Sequence, residues 1–142
     1  MTKHEIFEAI TNNPVMHIAT VEGDQPRVRA MLLYKADDSG IMFHMLTTRD
    51  ARRQITVNNK VELCFSCNGK QIRISGCLDL IDDNSVKDEI VEHPSRKFLK
   101  AWKESGMYKD FYKDISVYIL KNGTATVWSM DKNFEPKEIV QL

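Results

Sequence analysis

The sequence predicts a mainly β fold with helices, an antiparallel α+β architecture that closes, or nearly closes, into a small barrel with helices at its ends. Three observations carry this expectation. Short apolar runs alternate with turn chemistry from Val15 to Ile81. The dipeptide Asn68-Gly69 joins two of those runs and is a strong two-residue hairpin signal. A single helical stretch separates the third and fourth runs, so the continuous βαβ alternation of a doubly wound sheet is absent.

Each element has a local reason. Thr2 followed by Glu5 is a capping-box pattern, and Ile6 and Ile10 mark the buried stripe of a helix over 2–12. Asn13-Pro14 ends that helix, because the residue before proline disfavours the α region. Val15 to Val21 is a strand, and Glu22-Gly23-Asp24-Gln25-Pro26 is turn chemistry. A second strand runs over 27–35, and Asp37-Asp38-Ser39-Gly40 turns into a third over 41–46. A basic amphipathic helix is expected over 49–58, then strands over 60–67 and 71–81. Residues 83–105 read as helical, interrupted near His93-Pro94, with Phe98, Leu99 and Trp102 as an apolar face whose aromatic residues are expected in the core. Residues 116–130 are strand-like and broken at Asn122-Gly123. The total is five or six strands and three or four helices.

Composition narrows the function classes. A chain of 142 residues suits one domain spanning 1–142. Lys+Arg and Asp+Glu are both 20, which argues against a surface built to grip nucleic acid or an anionic membrane. No apolar run approaches the ~18 residues that span a bilayer. The first residues, MTKHEIFEAITNN, contain no signal-peptide apolar region, so a cytoplasmic location is expected. Cys64, Cys67 and Cys77 are an odd number and imply no disulfide framework. Cys64 and Cys67 are spaced C-x-x-C, but on a strand they point to opposite faces, and no second ligand pair accompanies them. A metal site is not expected. Walker and dinucleotide-binding glycine loops are also missing.

The stretch from Gly40 to Phe65 is the most informative about function. An apolar strand stops at Thr47 and Thr48, and Arg49, Arg52 and Arg53 follow on a helix. Hydroxyls, guanidinium forks and helix-start N–H groups together make a phosphate cradle. The same residues also suit an ordinary solvated helix with Thr48 as its N-cap and Asp50 in its first turn. Local chemistry leaves both readings open.

Several motifs then occur in order along nearly the whole chain: Gln25-Pro26-Arg27-Val28-Arg29; Thr48-Arg49-Asp50 with Gln54 and Asn58; Val61-Glu62-Leu63; Ile72-Arg73-Ile74-Ser75-Gly76; and Lys121-Asn122-Gly123-Thr124-Ala125-Thr126. In these motifs the chain resembles the pyridoxamine 5′-phosphate oxidase-like flavoproteins, and within them the small branch of nitroimidazole-reductase-like proteins. The resemblance implies an FMN-binding split β-barrel and a homodimer with FMN at its interface. It implies that Arg29 meets the flavin phosphate, with Arg27 beside it, and that Ala30, Met31 and Leu32 run beneath the ring system. It further implies that His44 and Met45 lie along the cofactor, that Thr47, Thr48, Arg49 and Gln54 belong to the helix-start phosphate region, and that Gln71 arrives from the other subunit. Trp128 matches a late-strand aromatic near the flavin. No catalytic residue is implied.

Two departures bear on function. Arg49 stands where the branch has a lysine, which keeps the charge and changes its geometry. The Arg-x-His signature that grips the pyridoxal substrate in true oxidases has no counterpart in MDKNFEPKEIVQL, so pyridoxal phosphate synthesis is not expected. Plainer readings stand beside the functional ones. Arg27 and Arg29 also suit a solvated strand face. His44 suits a satisfied core histidine, Trp128 suits core or dimer packing, and Arg73 suits a surface salt bridge. The expected function is a flavin oxidoreductase that passes electrons from a reduced nicotinamide to a small acceptor such as a nitroaromatic or quinone. The alternatives are a non-catalytic flavin carrier or stress-linked flavin protein and, more remotely, a haem- or deazaflavin-binding barrel.

Overall fold

The computed structural model describes residues Met1–Leu142. Its strands are β1 (Val15–Glu22), β2 (Gln25–Asp37), β3 (Gly40–Leu46), β4 (Lys60–Cys67), β5 (Lys70–Ile81), β6 (Ile115–Leu120), β7 (Thr124–Ser129) and β8 (Glu138–Gln141). Its helices are α1 (Lys3–Asn12), α2 (Asp50–Val57), α3 (Asn84–Glu92), α4 (Lys97–Glu104) and α5 (Phe111–Asp114), with 3-10 turns at Pro94–Arg96 and Met130–Lys132.

All strand pairs are antiparallel. The order β4-β1-β2-β3-β6-β5 closes through a β4–β5 pairing, giving a six-strand barrel. This is the split-barrel arrangement that the resemblance implies. β5 is long enough to serve two neighbours along one edge: Leu78–Ile81 pair with β6, and Lys70–Ser75 pair with β7. The expected strand over 116–130 is therefore two strands, broken where Asn122 takes φ +53°. β6 closes the barrel, and β7 carries the sheet outward to β8.

Two strands were underestimated from sequence. β2 begins at Gln25, so the β1–β2 turn is tighter than the turn chemistry of 22–26 suggests. β8 was not expected. It has only four residues, and it is held by pairing with β7 and by an ion pair between the Met1 ammonium and Glu138.

Period-2 alternation sends one side of each strand inward. Ile18, Phe43, Leu63, Phe65, Ile72 and Ile74 are fully buried, and burial of each such side chain contributes roughly 1.5–3 kcal/mol. Cys67 joins this core, whereas Cys64 faces outward, as the strand geometry requires. Ile6, Phe7 and Ile10 of α1 enter the same core. That helix starts as predicted: Thr2 Oγ1 accepts from Glu5 N–H at 3.2 Å, and the Glu5 carboxylate accepts from Thr2 N–H at 2.6 Å. A second, smaller core (Ile90, Val91, Leu99, Phe111, Ile115, Val117) joins α3, α4 and α5 to the outer face of β3 and β6, where Met42 and Leu46 pack against it. The predicted interruption at His93-Pro94 is real, but α5 was not foreseen. No helix is long and apolar enough to cross a membrane.

Candidate functional site

A cleft of about 780 Å³ opens between β2, β3, the start of α2 and the α4 lobe. One end is cationic: Arg27, Arg29, Arg49 and Arg53 line it, with two carboxylates, Glu22 and Asp50. The strand period puts Arg27 and Arg29 on one side of β2, and helical spacing puts Arg49 and Arg53 one turn apart on one side of α2.

Most of this charge is held in place by the protein. Arg29 donates from Nη1 to Thr20 Oγ1 and from Nη2 to Gln54 Oε1, each at 2.7 Å. Thr20, itself buried, donates to the same Gln54 oxygen at 2.6 Å. Gln54 Nε2 donates onward to Glu22 at 3.2 Å. Glu22 also takes Arg27 at 3.0 Å and Arg53 at 2.9 Å. These donors, Arg27 first and then Arg53 and Gln54, hold the Glu22 carboxyl down at about 2. Burial lowers the Arg29 guanidinium from its ordinary value, without discharging it at neutral pH.

Arg49 differs from the other three. It occupies the N-cap position of α2, and no side chain caps that helix. The expected Thr48 cap is therefore corrected. Arg49 is exposed and has no side-chain bond or ion pair within the chain, although it lines the cleft. An unpaired guanidinium beside an uncapped helix start suits an anionic oxygen cluster.

The rest of the cleft is flatter and less polar. Ala30, Met31 and Leu32 of β2 and His44, Met45 and Leu46 of β3 line it. Met45 lies along the cleft, but its side chain belongs to the barrel core and is 5% exposed. It presents mainly backbone. His44 is on the outer face of β3, where Arg96 Nε donates to its Nε2 at 2.9 Å. Burial and then the Arg96 charge pull the imidazole down to about 4, so it is neutral at physiological pH.

The structure separates other expected residues from this cleft. Thr47 Oγ1 donates to Lys113 O at 2.7 Å and lies 2.9 Å from Ser116 Oγ, tying β3 to the segment before β6. Thr48 lines a neighbouring depression with Trp102, Met107 and Tyr108. Gln71 and Trp128 are cross-strand partners on β5 and β7. They line a second, polar cleft of about 1050 Å³ on that side of the sheet, where Trp128 Nε1 donates to Asn133 at 2.9 Å. Arg73 stands in the same cleft, with Glu62 at 3.7 Å.

Some cleft residues were missed or misread from sequence. Phe98 and Trp102 were expected in the core. They are 39% and 43% exposed and line the cleft, edge to face at 5.2 Å. Glu22, which sits in a predicted turn, organises the cationic end, where Arg53 stands beside Arg49 as the basic helix start implies. Arg96 had no sequence signal: a basic residue just after a proline reads as surface.

The barrel and cleft define a small antiparallel split-barrel protein whose β2–β3 cleft is cationic at one end and less polar at the other. A family profile described as pyridoxamine 5′-phosphate oxidase matches residues 2–129, and the chain belongs to that family. A pyridoxine/pyridoxamine 5′-phosphate oxidase from Shewanella sediminis is 29% identical over 98 residues, covering 67% of this chain and 46% of that protein. The chain thus spans about half the length of the curated relatives it matches. Among solved structures, a NimC/NimA family protein from Clostridium acetobutylicum superposes with a TM-score of 0.77 at 24% identity, covering 99% of this chain and 93% of that one. A pyridoxamine 5′-phosphate oxidase-related, FMN-binding protein from Nostoc punctiforme gives 0.62 at 19% identity, covering 96% of this chain and 87% of that one. At these identities the solved structures speak for the fold.

Proposed function

We propose that this protein binds FMN in the cleft and acts as an oxidoreductase between a reduced nicotinamide and a small, flat acceptor. The observation that carries this reading is Arg49: an unpaired guanidinium at an uncapped helix start, in the same cleft as the flat strand surface formed by Ala30–Leu32 and His44–Leu46. These residues fit the cofactor. Arg49, Arg29 and the first amides of α2 would hold the phosphate, with Arg27 and Gln54 in support. The backbone of β2 and β3 would lie along the ring system. When bound, FMN supplies hydride and single-electron chemistry, while the protein positions the ring, sets its electrostatics and limits water. Membership of the family, and its likeness to the FMN-binding protein from Nostoc punctiforme, support the choice of cofactor.

Gln71 and Trp128 fit this reading only through a second copy of the chain. They lie outside the β2–β3 cleft, on a sheet whose outer face leaves Val15 and Val28 60% and 68% exposed. In a homodimer built on that face they would reach the partner's cofactor. Such an interface should bury roughly 2,000 Å² or more in total. The residues from Met130 to Leu142 form a short turn and β8 and include no arginine or histidine, so they supply no bidentate clamp for a phosphorylated pyridoxine.

The test is spectroscopic and then kinetic. Purified protein should be yellow, release FMN on denaturation and sediment as a dimer. Anaerobic reduced nicotinamide should bleach it, and a nitroaromatic or quinone should restore the colour, with no turnover of pyridoxamine phosphate. A colourless protein that takes up no added FMN would sink the proposal. A yellow protein that no nicotinamide reduces would instead be a flavin carrier. Efficient pyridoxamine phosphate oxidation would overturn the acceptor assignment.

A further inference from the structure

Behind the cleft-lining His44 lies a buried polar partner, Arg96, that the cationic end does not use. Arg96 reaches the outer face of β3 from the 3-10 turn Pro94–Arg96 and is only 2% exposed. Its Nη2 donates to Leu33 O at 2.6 Å, and its Nη1 lies 3.1 Å from Ser95 Oγ and 3.3 Å from Ser95 O. Its Nε donates to His44 Nε2 at 2.9 Å. No carboxylate is among these partners. The charge is instead flanked by two rings, Tyr34 at 5.4 Å and Phe98 at 5.9 Å.

This arrangement fixes the state of His44. A guanidinium has only donors and remains protonated in proteins. The imidazole nitrogen facing it must therefore offer a lone pair, and the ring's proton must sit on Nδ1. His44 Nδ1 has no hydrogen-bond partner in the chain, and the residue lines the cleft. The ring is only partly buried, so this donor is not sealed in the core. Arg96 also supports the neighbouring wall, because Phe98, which it stacks against, packs on Trp102 at the cleft mouth.

We propose that Arg96 is a positioning residue for a second subsite of the cleft: it locks His44 as a neutral Nδ1–H donor and steadies the Phe98–Trp102 wall, so the subsite receives a flat ring with an acceptor oxygen at its rim, such as a nitro or quinone oxygen. The ligand's role as electron acceptor rests on the proposed flavin function; its contacts do not. An aromatic wall tolerates many flat rings, and the His44 donor discriminates among them. A ring that covers the His44 donor without offering it an oxygen displaces its water and leaves it unpaired, which disfavours an isosteric ring that lacks the oxygen.

Nitrogen-15 spectroscopy of the histidine-labelled protein tests this without relying on turnover. In the wild type, His44 should show the Nδ1–H tautomer and remain neutral between about pH 5 and 8. Nitrobenzene should shift its Nδ1 resonance, and toluene should not. Arg96→Met should release the tautomer, raise the His44 titration towards its ordinary range and weaken nitrobenzene binding roughly tenfold relative to toluene. Arg96→Lys should restore part of all three effects. A purely structural Arg96 would lower thermal stability without changing the tautomer or the ratio between the two probes. If Arg96→Met does not fold, the wild-type tautomer and the probe comparison still decide. An Nε2–H tautomer in the wild type, or equal responses to nitrobenzene and toluene, overturns the proposal. FMN is titrated separately on the same preparation: failure to bind it, with the tautomer and probe selectivity intact, refutes the flavin reading alone.

Discussion

Replacing Gln54 by leucine isolates the network that holds the cationic end of the cleft. Gln54 is 4% exposed, so both of its polar atoms act inside the protein. Its Oε1 accepts from Thr20 Oγ1 at 2.6 Å and from Arg29 Nη2 at 2.7 Å. Leucine has similar bulk and no acceptor. The Thr20 hydroxyl would keep the bond it accepts from Arg29 Nη1 at 2.7 Å but lose a place for its own proton, and Arg29 Nη2 would lose its partner in a partly buried position. Removing the two bonds to Oε1, one neutral and one charge-assisted, costs about 2–4 kcal/mol combined; the Nε2 bond to half-exposed Glu22 is lost as well, and water replaces it there. For a chain of this length that corresponds to roughly 8–15 °C in Tm. Urea unfolding of the cofactor-free protein measures it, and an unchanged slope would confirm that the same surface unfolds. Gln54→Glu should be milder towards Arg29, because a carboxylate accepts both bonds. It would also place a second negative charge against Glu22, which now receives Nε2 at 3.2 Å. The Glu22 carboxyl should then titrate above its present value of about 2. A Gln54→Leu protein within ~0.5 kcal/mol of wild type would refute this reasoning, and the network would then be surface decoration.

Arg49→Ala should weaken FMN binding at least roughly tenfold while barely affecting riboflavin, because the lost charged bond goes to the phosphate; equal losses in parallel titrations would show that Arg49 acts through folding. Acid should destabilise the protein through His44. Its folded titration is depressed to about 4 from 6.5, so the neutral ring favours folding fully above the unfolded value, and that stability drains away as the pH falls towards about 4. The slope is about 1.4 kcal/mol per pH unit, or about 3 kcal/mol in all. His44→Gln should flatten that part of the urea midpoint–pH curve; an identical slope in the variant would assign the acid loss elsewhere. Gly40→Ala should cost well over ~2 kcal/mol, because φ is +132° and the new Cβ would lie 2.6 Å from the backbone oxygen of Leu120. Gly23→Ala, at φ +63° with nothing within 4 Å, should cost only about 1 kcal/mol; matching losses in urea unfolding would contradict the crowding at Gly40.

What the sequence revealed depended on the range of the interaction. The β4–β5 hairpin was legible because Asn68 and Gly69 adopt positive φ values of +49° and +81°, and that residue pair tolerates them. The Thr2 cap was legible because both of its bonds span three residues. The break at Asn122 was visible as turn chemistry. That it lets β6 close the barrel while β7 leaves it was not visible, because this follows from β5 offering one long edge to both. β8 escaped notice because four residues on an edge show too little periodicity, and its anchor, the Met1 ammonium, lies at the far end of the chain.

The cleft shows the same limit more sharply. Alternation put Arg27 and Arg29 on one side of β2, but it could not distinguish a solvated face from a site. Their partners distinguish them: Arg27 meets only Glu22, a half-exposed carboxylate, whereas Arg29 reaches Thr20 and Gln54, both buried and brought together by the packing of α2 on β1. The spacing of Phe98 and Trp102 implied an apolar helix face and left open what that face meets. Leu99 is buried in the second core, and the two aromatic residues stay partly exposed along the cleft. Arg96 is the extreme case. Neither periodicity nor composition marks it, yet it is almost fully buried and sets the proton on His44. A buried cation without a carboxylate costs free energy unless its donors are satisfied. Here a histidine lone pair, a backbone oxygen and the serine oxygens meet those donors, so the charge remains inside while His44, a cleft-lining residue, keeps its other ring nitrogen free of any partner in the chain.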